Sequence, residues 1–212
     1  MRGEKLVVLQ PYTDRAADIC QVLAARLAPR LTVAIAGECG SGKTSMAHEL
    51  RRLLAEQGVR AGILQQDDYF VFPPKTNHEM RRRNLEQVGP YEVKLDLMDA
   101  NLRSFKRSES PIYKPLVVYE EDRITHEEMD VADLDVLIAE GTYTSLLSFA
   151  DLRVFIDRTY HQTLEGHLQR GRDAFEPFNL QVLEREHQVI AGHKALADIV
   201  VSSDLIGIQV IR

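Results

Sequence analysis

Short apolar runs alternate with amphipathic stretches along most of this chain, and this alternation predicts an α/β fold. Runs rich in Val, Ile, Leu and Ala have the length and composition of buried strands; they lie at 31–36, 59–64, 134–139, 152–156 and 199–201. Apolar residues at three- and four-residue spacing predict helices; these cover 43–57, 94–105, 159–170 and 179–196, with a short helix ending near 149. The expected architecture is a doubly wound, mostly parallel sheet flanked by helices.

Two regions depart from that alternation. Residues 1–30 form an N-terminal extension with a short edge strand at 5–9 and a helix over 13–28, which we expect to precede the core rather than form it. Residues 73–130 are a substrate-side insertion, in which apolar runs at 112–119 and 123–126 flank a polar turn and predict a β-hairpin. The chain as a whole, 1–212, is predicted to be a single domain.

Composition narrows the class of protein. The 212 residues are 44% hydrophobic and 27% charged, as in ordinary globular domains, and the net charge of −6 argues against a nucleic-acid or membrane partner. Cys20 and Cys39 show no pairing pattern, which favours a reducing compartment. Neither a membrane-spanning run nor a signal-peptide core is visible, so a cytoplasmic location is the expectation.

The segment after the first predicted core strand carries the most specific motif. Residues 37–44 read GECGSGKT, a full match to the P-loop pattern G-x-x-x-x-G-K-[ST]. Its glycines permit a tight turn, so that backbone N–H groups converge on nucleotide phosphates at the positive end of the following helix. Lys43 is expected to bridge the outer phosphates and the Thr44 hydroxyl to hold Mg²⁺. The predicted nucleotide contacts are Gly37, Glu38, Cys39, Gly40, Ser41, Gly42, Lys43, Thr44 and Ser45.

Acidic residues follow two other strands at the same predicted edge of the sheet. Asp67 and Asp68 come after strand 59–64, and Glu140 comes after strand 134–139. Ligands bind at the carboxyl edge of such sheets, and phosphoryl transfer needs a carboxylate there to accept a hydroxyl proton and help place Mg²⁺. The alternatives are a helix cap or turn for the aspartates and an ion pair for Glu140.

Other charged or reactive groups are weaker candidates. Arg170 and Arg172 are predicted to close over the transferred phosphoryl group, or else to interact favourably with the dipole at the C-terminus of their helix. The three arginines at 81–83 are more typical of a solvent-exposed helix face than of a site that guides an anionic substrate. Cys39, near a helix N-terminus, can be a reactive thiolate or simply a small loop residue.

Taken together, these segments resemble the uridine kinase and phosphoribulokinase family of P-loop small-molecule kinases over roughly 31–204. The segments that carry the likeness are 37–44, 66–70, 111–113, 138–142, 170–173 and 197–201. The resemblance implies that Asp67 is the general base and a magnesium neighbour, that Glu140 helps place Mg²⁺, and that Arg170 and Arg172 belong to a small lid over 158–178. It also implies that Tyr113 contacts a nucleobase.

The sequence departs from the family in the segment that binds ribose in uridine kinases. Uridine kinases carry an acid in a His-Pro-x-Ala-x-Asp segment, and this chain has Lys94 at that place; Lys114 likewise replaces an Asp. Glu92 is a candidate substitute, and Asp67, Tyr69, Tyr113 and Glu92 are the predicted acceptor contacts. The segment from 157 to 170 is also shorter than the family's lid and poorer in arginine.

The resulting expectation is a kinase that uses ATP and Mg²⁺ to phosphorylate a hydroxyl of a small metabolite. A uridine-like nucleoside is the first choice of acceptor. Pantothenate, nicotinamide riboside or a sugar is the alternative, and Lys94 and Lys114 favour an acidic acceptor if both face the pocket. A further alternative is a non-catalytic ATP-binding regulatory protein. The choice between ATP and GTP stays open, and a homo-oligomer is an option because family members often form one.

Overall fold

The centre of the molecule is a six-stranded sheet with helices on both faces. The computed structural model describes residues 9–26, 28–164 and 176–212. The strands are β1 Leu31–Gly37, β2 Ala61–Gln65, β3 Ile112–Val118, β4 Arg123–Met129, β5 Val136–Glu140, β6 Leu152–Ile156, β7 Ile199–Val201 and β8 Ile208–Val210. In space the main sheet runs β2-β5-β1-β6-β7-β8, while β3 and β4 form a separate antiparallel hairpin. All neighbours in the main sheet are parallel except β7 and β8.

Helices connect these strands. The α-helices are α1 Gln10–Ala24, α2 Lys43–Glu56, α3 Pro74–Arg83, α4 Leu95–Lys106 and α5 Pro177–Ile190, and residues 160–164 are also helical. Short 3-10 helices lie at Gln66–Tyr69, Leu85–Gln87, Pro90–Glu92, Thr144–Leu146 and His193–Leu196. No helix among the described residues is long and apolar enough to cross a membrane.

The predicted fold class is confirmed. The strands predicted for the sheet are present, β1 and β2 are both parallel to β5, and the predicted hairpin forms, with β4 extending to Met129. The helix expected to end near 149 is only a 3-10 turn, and the helix predicted over 179–196 stops at Ile190 before a separate 3-10 turn. Residues 1–8, with most of the predicted edge strand, and residues 165–175 lie outside the described ranges.

The expectation that the first helix merely precedes the core is wrong. Side chains of α1, among them Ala16, Ile19 and Leu23, are fully buried and belong to the same apolar cluster as α2 and the strands. Alternate residues of β1 point to opposite faces of the sheet, so Val33 packs with α1 and α2 while Ala34 packs in the second cluster with α4 and the hairpin. The helix α1 therefore covers part of one face of the main sheet, together with α2.

Candidate active site

The P-loop follows β1 and has the backbone conformation that its glycines permit. Gly40 and Gly42 have φ of +76° and +100°, in the region that favours glycine. A Cβ at Gly42 would lie 2.2 Å from Cε1 of Tyr12, so no larger residue fits. Lys43 Nζ donates to the Glu38 carbonyl oxygen at 2.8 Å, which holds the lysine across the loop.

Two of the predicted metal-binding side chains meet beside this loop. The strand register sets Glu140 level with Ile35 of β1 and Gln65 of β2, at the carboxyl edge of the sheet. Thr44 Oγ1 donates to Glu140 Oε1 at 3.1 Å, and Glu140 is only 5% exposed. The parallel sheet therefore brings residues 96 positions apart into contact at the foot of the P-loop.

The chemistry of these groups fits Mg²⁺. A hydroxyl and a carboxylate supply the oxygen ligands that this cation prefers. Within the described part of the chain, no group of three or more His, Cys, Asp and Glu side chains is placed to hold a metal. That is compatible with Mg²⁺, which is usually held by one or two protein carboxylates together with substrate phosphates and water.

The adjacent aspartates after β2 have different environments. Asp67 is exposed, in the 3-10 turn that follows the strand. Asp68 is buried and accepts hydrogen bonds from Lys114 Nζ and the Val117 amide, both at 3.0 Å. The alternative of a structural aspartate therefore applies to Asp68, which ties the hairpin to the end of β2.

Cys39 does not have the properties of a reactive thiolate. Burial raises the pKa of its thiol to about 11, and the nearby carboxylates of Glu186 and Asp67 add to the rise, against the opposing charge of Lys43. The thiol form is therefore favoured, and the loop-residue interpretation agrees with this environment.

Tyr69, a predicted acceptor contact, and Lys114, one of the two lysines that would favour an acidic acceptor, lie in the interior instead of at an open face. Tyr69 is fully buried and its hydroxyl accepts a hydrogen bond from Asn101 at 2.8 Å. Lys114 is buried between Asp68 and Glu127, so it does not face a pocket as an acidic acceptor would require. Tyr113, in contrast, is 63% exposed on β3. The structure therefore leaves Tyr69 no open face toward an acceptor, and Lys114 does not meet the condition under which it would favour an acidic one.

Glu92 is also occupied by protein groups. Arg81 donates to it through Nε at 2.7 Å and Nη2 at 2.6 Å, and Asn77 Nδ2 donates at 3.1 Å. Arg81 also reaches Glu186 Oε1 at 3.3 Å. Burial opposes the charge of Arg81, but the bond to Glu92 and the charge of Glu186 hold its pKa above the ordinary value. The prediction of a solvated arginine face is wrong for Arg81, and Glu92 is not free to replace the missing ribose acid.

Glu38 has a role that the motif does not reveal. Its carboxylate accepts from the Tyr160 amide at 2.7 Å, at the start of the helical segment 160–164, and lies 2.7 Å from His187 Nδ1 on α5. The P-loop is thus tied to the first residues of the predicted lid and to α5. Position 38 is a variable position of the motif, so only long-range contacts identify this role. Arg170 and Arg172, the predicted lid arginines, lie outside the described residues.

Comparison with known proteins places this geometry in a family. The model of the phosphoribulokinase / uridine kinase family matches residues 32–175. The chain belongs to this family. As a member it is an ATP-dependent small-molecule kinase, and the nucleotide expected at the P-loop is ATP.

Individual relatives are similar at a moderate level. The uridine kinase of Leuconostoc citreum is 28% identical over 184 residues, which cover 81% of this chain and 86% of the relative. The bifunctional alpha-galactosidase/sucrose kinase of Mediterraneibacter gnavus is 29% identical over 189 residues, 82% of this chain but only 20% of that longer enzyme. The phosphoribulokinase structure from Rhodobacter spheroides shares the fold, with a TM-score of 0.62 at 16% identity, covering 82% of this chain and 70% of that one.

Proposed function

We propose that this kinase transfers the γ-phosphoryl group of ATP to a hydroxyl of a small nucleoside, with Mg²⁺ as the metal. The observation that carries the proposal is the contact between Thr44 and Glu140 beside the P-loop, because it joins a hydroxyl and a carboxylate where the phosphates of ATP would lie. The proposed unit is a single kinase domain over 1–212 with an acceptor side at 73–130 and a lid at 158–178.

The proposed catalytic residues divide the tasks of phosphate binding, metal binding, proton acceptance and closure. Lys43 and the loop amides hold the phosphates, while Thr44 and Glu140 would hold Mg²⁺ with Asp67 as a neighbour. Mg²⁺, when bound with ATP, neutralises charge on the β- and γ-phosphates. Asp67 accepts the proton of the attacking hydroxyl, and its exposure after β2 supports this role because an acceptor must reach it. Arg170 and Arg172 would cover the transferred group.

A sugar is the second candidate acceptor. The family's ribose-holding acid is replaced by Lys94, and Glu92 is held by Arg81, so the usual way of binding ribose is absent from this part of the chain. One relative of similar identity is named a sucrose kinase. Both observations support a sugar as the alternative to a nucleoside acceptor.

Acceptor-dependent ADP release tests the proposal. Purified protein with ATP and Mg²⁺ is assayed with uridine, fructose, sucrose, nicotinamide riboside and pantothenate, and the phosphorylated product is identified by mass spectrometry. We expect uridine to stimulate ADP release most, and stimulation by a sugar alone would establish the second candidate. Tight ATP binding without stimulation by any acceptor would contradict the kinase assignment and favour the regulatory alternative. Lys43→Ala serves as the control that removes phosphate binding.

A further inference from the structure

Three side-chain oxygen atoms near the proposed active site are buried without a hydrogen-bond partner in residues 9–26, 28–164 and 176–212: Oγ of Ser41 in the P-loop, Oε2 of Glu186 on α5, and the hydroxyl of Tyr143 in the turn after β5. Ser41 belongs to the phosphate-binding loop, whereas Glu186 and Tyr143 lie outside it. The Glu186 side chain is 10% exposed and Tyr143 is 1% exposed. Burying such groups without partners is costly, so sites of this kind point to a partner that arrives with a ligand.

Both residues are linked to the proposed reaction centre through a neighbouring residue. The Tyr143 amide donates to Gln66 Oε1 at 2.7 Å, and Gln66 immediately precedes Asp67. Glu186 is adjacent in sequence to His187, which is held 2.7 Å from the Glu38 carboxylate of the P-loop. The two groups therefore approach the site from two different elements.

These groups surround one guanidinium. Arg81 contacts Glu92 through two nitrogens and Glu186 at 3.3 Å, so one cation faces two carboxylates. Burial raises the pKa of Tyr143 most, and the charges of Glu186 and Glu92 raise it further, which identifies the phenol as part of the same cluster. Burial raises the pKa of Glu186, and the charge of Glu92 adds to the rise against that of Arg81, so negative charge is costly at this place. An anionic acceptor would meet the same cost, whereas an acceptor hydroxyl can hydrogen-bond to the Glu186 carboxyl group without adding charge.

We propose that Glu186 and Tyr143 determine acceptor specificity, binding hydroxyl groups of an uncharged, polyhydroxylated acceptor and disfavouring anionic ones. Glu186 Oε2 accepts a hydrogen bond from one hydroxyl and the Tyr143 hydroxyl bonds to another. Lys114, one of the two lysines that would favour an acidic acceptor, is buried between Asp68 and Glu127 and therefore adds no unpaired positive charge to this cluster. The inference rests on the proposed kinase function and narrows its substrate class.

The test measures KM, kcat and thermal stability of Glu186→Gln and Tyr143→Phe with uridine, fructose, sucrose and pantothenate. We expect wild type to use at least one neutral probe and not pantothenate. Because one hydrogen bond made by an uncharged group is worth about a fivefold change in affinity, Glu186→Gln and Tyr143→Phe should each raise the KM of the neutral acceptor about fivefold. The KM for ATP should stay the same in both variants.

Stability separates this role from a structural one. Since the Tyr143 hydroxyl has no protein partner among the described residues, its removal should leave Tm unchanged or raise it. Glu184→Gln is the matched control: it removes a carboxylate from the same helix that instead accepts from the Tyr160 hydroxyl at 2.7 Å, and it should not change the acceptor KM.

The outcomes distinguish the two levels of the proposal. Wild type that prefers pantothenate, or variants that lower Tm or kcat for every acceptor without raising KM for the neutral one, would overturn the specificity inference and leave the kinase function intact. Wild type that binds ATP but is stimulated neither by these four probes nor by nicotinamide riboside would overturn both.

Discussion

Replacing Lys114 by Met should destabilise the fold strongly, because it leaves a buried carboxylate without its cation. Asp68 is 2% exposed and takes hydrogen bonds from Lys114 Nζ at 3.0 Å and the Val117 amide. Removing one partner of a buried ion pair typically costs about 3–5 kcal/mol. That loss is a large part of the roughly 5–15 kcal/mol that stabilises a typical domain.

The reverse change should cost less. In Asp68→Asn the lysine keeps Glu127 at 2.8 Å, whose side chain is 37% exposed, and Asn can still accept from the Val117 amide. We therefore expect a loss of about 1–3 kcal/mol from Asp68→Asn and a subadditive double variant.

Urea unfolding followed by circular dichroism gives these free energies, and Lys194→Met is the matched control. Lys194 pairs with Asp157 at 2.6 Å, but both side chains are more than a third exposed, so its loss should cost no more than about 1 kcal/mol. A Lys114→Met protein as stable as the Lys194→Met protein would refute the reasoning, and if it also showed a changed acceptor KM, Lys114 would return to the acceptor site.

Two further predictions concern the P-loop and the C-terminal region. Gly42→Ala should lower both Tm and ATP affinity, since its Cβ would overlap Tyr12. The control Gly58→Ala has positive φ but nothing within 4 Å of the added Cβ, so it should cost only about 1–2 kcal/mol of backbone strain and leave ATP binding unchanged. Equal effects of the two variants on ATP binding would contradict this prediction. Burial lowers the pKa of His193, which lies 2.8 Å from Ser145 Oγ, below its ordinary 6.5. The neutral form of His193 is thus favoured in the folded state, so its contribution to stability is present above pH 6.5 and is lost as pH falls below it. Between pH 7.5 and 5.5, Tm should therefore drop more steeply in wild type than in His193→Asn. Parallel curves of Tm against pH would exclude the effect.

The sequence predicts those parts of the fold that depend on local patterns. The P-loop, its strand and its helix follow from consecutive residues, and the position of Glu140 follows from a strand whose carboxyl end must lie at the same edge of a parallel sheet. The packing partner of the helix Gln10–Ala24 is not predictable in this way, because its periodicity predicts a buried face but not which surface covers that face.

Residues whose role the sequence leaves open or assigns wrongly share one physical feature, which is a partner distant in sequence. Tyr69 bonds to Asn101, Asp68 to Lys114, and Arg81 to Glu186, and no local pattern indicates any of these contacts. In sequence, a tyrosine or a lysine beside a conspicuous motif is easily interpreted as a ligand contact. In the fold, the same residue can instead serve packing or charge balance. Only the tertiary structure separates these two roles.

Turnover of Asp67→Asn, compared with wild type, tests the central claim most directly. With saturating ATP, Mg²⁺ and the best acceptor, we predict a fall in kcat of about a hundredfold or more, because a positioned base contributes at least that much, while ATP affinity stays nearly the same. Equal turnover of the two proteins would contradict the assignment of Asp67 as the base and with it the proposed phosphoryl-transfer site.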